Sequence, residues 1–156
     1  MAQYRSLQNY ANLGMKVEQS MEVPHQVQQM YGLVADIEAY PEFLPWCSGS
    51  AILYEQDNEI EARVDLNYLM IKQHFITHNH YVKNKSIEVR LVEGPFTYLE
   101  GSWQFTATSE DSCLIHFELH YEFSNFLISK AFGPVFKMIS NTMVEAFIKE
   151  ADRRYG

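Results

Sequence analysis

Five histidines fall in two alternating stretches and are the residues best suited to metal or proton chemistry. His74, His78 and His80 share one parity of the first stretch, and His116 and His120 share one parity of the second. Side chains two positions apart on a strand stand roughly 6.5 Å apart. That gives His78 and His80 the spacing to bracket a zinc ion, whose ligand bonds run about 2.0–2.3 Å. Both sets, however, lie on the parity opposite the aromatic residues of their stretches. The expectation is histidines that face water, and no metal site. The carboxylates Asp65, Glu88, Glu118 and Glu122 likewise occupy polar parities, where they serve solubility and register. Nothing in the sequence places one of them in an apolar pocket that would raise its pKa into a catalytic range. A Gly-rich phosphate loop, a Gly-x-Ser-x-Gly elbow and a His-Glu-x-x-His pair are all absent. The sequence names no catalytic residue, and the expected function is not enzymatic.

The elements that would carry these side chains are legible from periodicity. Cys113, Ile115, Phe117, Leu119, Tyr121 and Phe123 alternate with His116, Glu118, His120 and Glu122, the pattern of a strand with one face in a core. Asn125 can cap the long helix that follows, whose stripe runs Ile128, Phe132, Val135, Phe136, Ile139, Met143, Ala146 and Phe147. Val144 and Ile148 fall off that stripe and are expected as isolated surface residues, with a partner or membrane contact as the alternative. Upstream, Met15–Val23 reads as a first strand stopped by Pro24. Val27, Met30, Tyr31, Val34 and Ile37 then form a short helical stripe ended by Tyr40-Pro41. A compact turn-rich stretch from Pro41 to Pro45 follows. Further strands are expected at Ser50–Glu55, Ile60–Leu66, Ile71–Tyr81, Ile87–Leu91 and Leu99–Ala107. The turns between them fall at Asp57-Asn58, Lys83-Asn84-Lys85, Gly94-Pro95 and Glu110-Asp111-Ser112. A strand, two short helices, six strands and a long helix make an α+β domain built on an antiparallel meander.

At 156 residues, 47% hydrophobic, the chain can bury one substantial core. Residues 1–14 read as a poorly ordered extension and 15–156 as the domain. No apolar run reaches the roughly 18 residues needed to span a bilayer, and no signal or transit peptide is visible, so a bacterial cytoplasm is expected. Cys47 and Cys113, the two cysteines, fit a reduced compartment. The formal charge of −8 argues against DNA or any long phosphate backbone as the main partner. Lys130, Lys137, Lys149, Arg153 and Arg154 concentrate on the last helix and are expected to be its solvated face.

The apolar inventory suggests a binding cavity. Val64, Phe75, Trp103, Phe105, Phe117 and Tyr121 fall on inward parities, facing the helix residues Phe132, Phe136, Ile139 and Met143. Pro134 removes a backbone hydrogen bond to residue 130, and Gly133 beside it weakens the helix further, so this pair is expected to bend the helix and gate a pocket. Burying a CH₂ is worth about 0.8 kcal/mol, so one isoprene unit offers roughly 3–4 kcal/mol. Two or three units would cover the roughly 8 kcal/mol of micromolar binding before ordering costs.

Several motifs in order carry a resemblance. They are Tyr40-Pro41-Glu42-Phe43-Leu44-Pro45-Trp46-Cys47, Val92-Glu93-Gly94-Pro95-Phe96, Trp103-Gln104-Phe105, Tyr121-Glu122-Phe123, Ala131-Phe132-Gly133-Pro134-Val135-Phe136 and Met143-Val144-Glu145-Ala146-Phe147. Together they resemble the RatA/coenzyme Q-binding family of the START-like (polyketide cyclase/dehydrase) superfamily. The resemblance implies a helix-grip fold: a curved seven-stranded antiparallel sheet around a long C-terminal helix, with two short helices after the first strand and a hydrophobic cavity between sheet and helix. Pro41, Phe43, Leu44 and Pro45 would form the lip of that cavity. Phe96, Trp103, Phe117, Phe132, Phe136, Ile139 and Met143 would line its walls. The implied function is binding of ubiquinone or a similar polyisoprenoid lipid, as a carrier or chaperone supporting respiration and with no other cofactor. Peripheral contact with the inner membrane goes with that role. The alternative it implies is a toxin that binds the large ribosomal subunit and blocks subunit association. A polyketide cyclase or aromatase ranks third, with Tyr121 as its sole inward candidate.

Overall fold

The computed structural model describes residues 14–156. The expected extension, apart from Gly14, lies outside the described residues. Strand β1 (Met15–Val23) leads into helix α1 (Val27–Ala35), a 3-10 turn (Ile37–Ala39) and the one-turn helix α2 (Tyr40–Phe43). Six strands follow: β2 (Cys47–Gln56), β3 (Glu59–Tyr68), β4 (Ile71–Val82), β5 (Ser86–Glu93), β6 (Phe96–Ser109) and β7 (Ser112–Phe123). The chain ends in α3 (Phe126–Asn141) and α4 (Met143–Tyr155). This is the expected α+β fold. One antiparallel sheet runs β1-β7-β6-β5-β4-β3-β2, so the meander ends at β7 and the first strand closes the far edge. Gly14, just before β1, lies where a Cβ would sit 1.8 Å from the Tyr98 hydroxyl, so that close approach admits only glycine.

The start of α1 is capped by Gln26 and Gln29, whose side chains reach each other's backbone reciprocally. Tyr40-Pro41 opens α2 rather than closing α1, because a proline without an N–H costs nothing in a first helical turn. Asn125 caps α3 as expected: the Ile128 amide donates to its Oδ1 at 2.9 Å.

Two features differ from the periodicity. The hairpin between β3 and β4 turns on Leu69 and Met70, both with positive φ (51° and 68°), where glycine or asparagine is normal. The long C-terminal helix is also interrupted at Thr142 (φ −108°, ψ 7°), while it passes through Gly133-Pro134 unbroken. The cause is local. Ser140 Oγ donates to the Phe136 carbonyl at 2.9 Å, and Thr142 Oγ1 donates to that of Met138 at 2.8 Å. Such back-bonding competes with the helical ladder, and the Asn141 carbonyl is drawn aside by Gln19 Nε2 at 2.6 Å. Val144 is buried, one turn on from the buried Ser140, and Ile148 packs on the core, which corrects their expected surface placement.

Candidate functional site: an apolar cavity between sheet and C-terminal helices

The inward parity of each strand faces α3 and α4. On β4 that parity reads Phe75, Thr77, Asn79, Tyr81, and on β6 Leu99, Gly101, Trp103, Phe105. Gly101 carries no side chain between two large neighbours, and a Cβ there would meet the Glu118 carbonyl and Leu119 Cδ1 at 2.9 Å. Around this position lies a cavity of about 120 Å³. Val64, Phe75, Trp103, Phe117, Phe136, Ile139 and Met143 line it, together with Ile37, Tyr40, Trp46, Ala62, Asn79 and Phe147. Trp103 forms the rigid wall, with ring centroids 4.5 Å from Phe117 and 5.4 Å from Phe147.

Three expected wall residues sit elsewhere. Phe96, Tyr121 and Phe132 pack behind Phe136, at centroid distances of 5.0, 4.8 and 5.4 Å, as an aromatic cluster that backs the cavity. Burial pushes the Tyr121 hydroxyl above the usual phenol range, opposed by a hydrogen bond with Ser140. Leu44 is part of the core, whereas Pro41 is exposed on α2. Gly133 rests against Phe123 and Pro134 is exposed, so this pair lies on the side of α3 away from the cavity.

A second, open groove of about 430 Å³ lies outside the cavity and shares Trp46 with it. Phe43, Pro45, Tyr68, Met138, Thr142, Ala146 and Glu150 line it. Glu150 is 5% exposed and accepts from Arg153 Nε at 2.9 Å and Arg154 Nε at 2.6 Å. The bonds from Arg153 lead in holding its carboxyl down to about 2. Arg154 also lies 5.6 Å from the centre of the Phe43 ring.

The polar content of the cavity is small but specific. Asn79 is 6% exposed, and its Nδ2 donates to the Tyr81 hydroxyl at 3.3 Å while its Oδ1 has no partner. The Tyr40 hydroxyl donates to the Val34 carbonyl, and burial pushes it well above the usual phenol range. Cys47 and Cys113 are free and buried, and burial pushes each thiol up to about 11. They are poor nucleophiles there. Asn79 is the residue that sequence reasoning passed over. Its signal was available, since it shares the parity of Phe75 and Tyr81.

On the opposite face of the sheet the histidines join carboxylates. His74 pairs with Glu93 at 3.0 Å, and His78 with Glu59 at 3.0 Å. His120, expected in water, is buried beside Glu118, the two side chains 3.2 Å apart. Among the described residues Glu18, His116 and Glu118 bring three ligand-type atoms within 4.8 Å of one another. Lys16 stands 3.3 Å from Glu18 and Ser20 bonds His116, so the group is satisfied as an ion-pair network.

Comparison with known proteins follows the same lines. Residues 23–148 match the family described as polyketide cyclase/dehydrase and lipid transport. The persistence and stress-resistance toxin PasT of Escherichia coli O6:H1 is 44% identical over 141 residues, covering 90% of this chain and 89% of that protein. The ribosome association toxin RatA of Escherichia coli K12 is 43% identical over the same shares. A mitochondrial coenzyme Q-binding protein, COQ10 homolog B of Xenopus laevis, is 28% identical over 134 residues, 83% of this chain and 55% of that protein. Among solved structures, the Zhui aromatase/cyclase of a Streptomyces species superposes with a TM-score of 0.78 at 15% identity, covering 92% of this chain and 96% of that one, which speaks for the fold alone. With its helix-gripping sheet and its likeness to these toxins over 90% of its length, the chain belongs to the RatA/PasT family within the polyketide cyclase/dehydrase and lipid transport superfamily.

Proposed function

We propose that this chain associates with the ribosome, on the large subunit, and restrains translation by hindering subunit association. The observation that carries this is the 43% identity to a ribosome association toxin across 90% of the chain. The cavity weighs the same way. At about 120 Å³ it is well below the roughly 300–1,000 Å³ of ordinary ligand sites, and as it stands is smaller than a polyisoprenoid tail requires. The basic face of the last helix is largely neutralised, Lys149 by Glu145 and both Arg153 and Arg154 by Glu150. A chain of charge −8 therefore makes few phosphate contacts, and its ribosome affinity should fall only shallowly with salt. Sedimentation of the protein with purified subunits tests this: co-migration with the large subunit and a smaller peak of joined ribosomes are expected. Absence of co-migration at low salt would end the proposal.

A second reading is favoured by Asn79. A cavity of this size is comparable with the roughly 150 Å³ voids that hold a single aromatic ring. An otherwise apolar site with one unpartnered oxygen suits a small ring, or the ring end of a larger ligand such as a quinol. The relative named for coenzyme Q binding supports the same class. Solvent extraction or native mass spectrometry of the purified protein should then release an aromatic or isoprenoid molecule. Protein that is empty and also ignores added ubiquinone would remove this reading.

A further inference from the structure

We propose that one end of the sheet docks on an anionic lipid bilayer, through two apolar prongs that the ribosome and cavity readings leave unused. The first prong is the β3–β4 hairpin tip, where Leu69 is 72% and Met70 95% exposed. Both residues hold positive φ, a conformation in which large side chains are disfavoured. The fold thus accepts backbone strain and solvent exposure together at this tip. The second prong is the first turn of α3, where Phe126 is 75% and Leu127 76% exposed. Strands β3, β5 and β7 run in the same direction, so the tip after β3 and the helix start after β7 project from the same end of the molecule.

Charge identifies the partner. Helix α3 contains no Asp or Glu in a chain of net charge −8. Its lysines, Lys130 and Lys137, follow Phe126 at spacings of four and eleven and share its helix face. Neither makes an ion pair among the described residues, and Lys72 stands exposed two positions beyond Met70. Exposed Phe and Leu flanked by unpaired Lys is the composition of a segment that lies in a lipid interface, with apolar groups among the acyl chains and ammonium groups at phosphates.

Flotation with phosphatidylglycerol/phosphatidylcholine vesicles tests the surface. Wild-type protein should float at low salt and lose binding with pure phosphatidylcholine or at high salt. Leu69→Asn/Met70→Gly should cut vesicle binding by about tenfold. It should also raise the Tm, because Asn-Gly is the favoured pair for a two-residue turn with both φ positive. Phe126→Ser/Leu127→Ser should cut binding similarly, and Lys130→Gln/Lys137→Gln should abolish the preference for anionic vesicles. All three variants should still sediment with ribosomal subunits wherever wild type does. Wild-type protein that ignores anionic vesicles at low salt overturns the proposal, as does wild-type binding by the Asn-Gly variant. So does loss of ribosome co-sedimentation with vesicle binding intact, which would make the patch the ribosome contact.

Discussion

Substituting Ala62 by valine tests whether the cavity is a held-open void. Ala62 is fully buried on β3, opposite Ile52 and Thr77, and it lines the cavity. An empty void costs about 24 cal/mol per Å³, so about 120 Å³ carries a penalty of up to ~3 kcal/mol. Valine adds two carbons, worth about 1.6 kcal/mol if they enter free space, and a β-branched residue suits a strand interior. Some of that gain goes to local adjustment, leaving a net stabilisation of about 1 kcal/mol and a Tm rise of about 2–4 °C for a domain of this size. Urea unfolding should show the higher midpoint with an unchanged m-value. The same titration in excess phenol should stabilise wild type by mass action and leave Ala62→Val unaffected. A loss of 1 kcal/mol or more would mean that the space is already filled and that valine overpacks it. A gain with the phenol response intact would place the ring site elsewhere.

The free Oδ1 of Asn79 should make phenol bind about fivefold better than anisole, one hydrogen bond being worth about 1 kcal/mol. Trp103 fluorescence reports it, and an equal preference, or no change in Asn79→Leu, would refute the anchor. Glu150→Gln should lower stability at pH 7. The Glu150 carboxyl falls from 4.5 to about 2 on folding, so its contribution is complete above pH 4.5 and disappears as pH drops toward 2. The full shift would be worth ~3 kcal/mol, but Arg153 is 69% exposed and solvent screening reduces this to about 1–2 kcal/mol. Wild type and Glu150→Gln should therefore converge in urea midpoint between pH 4.5 and pH 2, and a gap independent of pH would contradict the assignment.

Strand β1 spans the residues its alternation marks, and β7 begins one position before Cys113, because a half-buried strand beside a packed helix enforces period two. The same logic places Val64, Phe75, Trp103 and Phe117 on the face that lines the cavity. It fails where the deciding interactions have no period. Ser140, Asn141 and Thr142 are each tolerated in a helix, and the interruption coincides with the bonds of Ser140 and Thr142 to the Phe136 and Met138 carbonyls and of Gln19 to the Asn141 carbonyl. Leu69-Met70 carries no turn signature, since the residues that make such turns easy are the ones it lacks. Cavity volume is also beyond periodicity. It depends on the absent side chain of Gly101 and on how Trp103, Phe117 and Phe147 nest, and the aromatic inventory alone suggests a larger space than the rings leave.

Helix α3 links these features, because its two faces have different tasks. Phe132, Phe136 and Ile139 face the sheet, while Phe126, Leu127, Lys130 and Lys137 face outward. Its helical regularity is weakened twice. Pro134 cannot donate to the Lys130 carbonyl, and at Thr142 the backbone departs from helical geometry, although its amide still bonds the Met138 and Ile139 carbonyls. Helix α4 is anchored by Phe147 among Trp103, Tyr40 and Phe43, and by Asp152, which bonds His25 at 2.6 Å. A ligand larger than one ring is expected to enter by displacement of α3 with α4 staying in place. Hydrogen exchange should show the amides of residues 135–141 opening at lower free energy than those of 147–151. Anionic vesicles, by holding Phe126 and Leu127, should change exchange in α3 and leave α4 as it was. Equal protection of the two helices, or faster exchange in α4, would mean that the wall is rigid and that the cavity admits nothing beyond its present size.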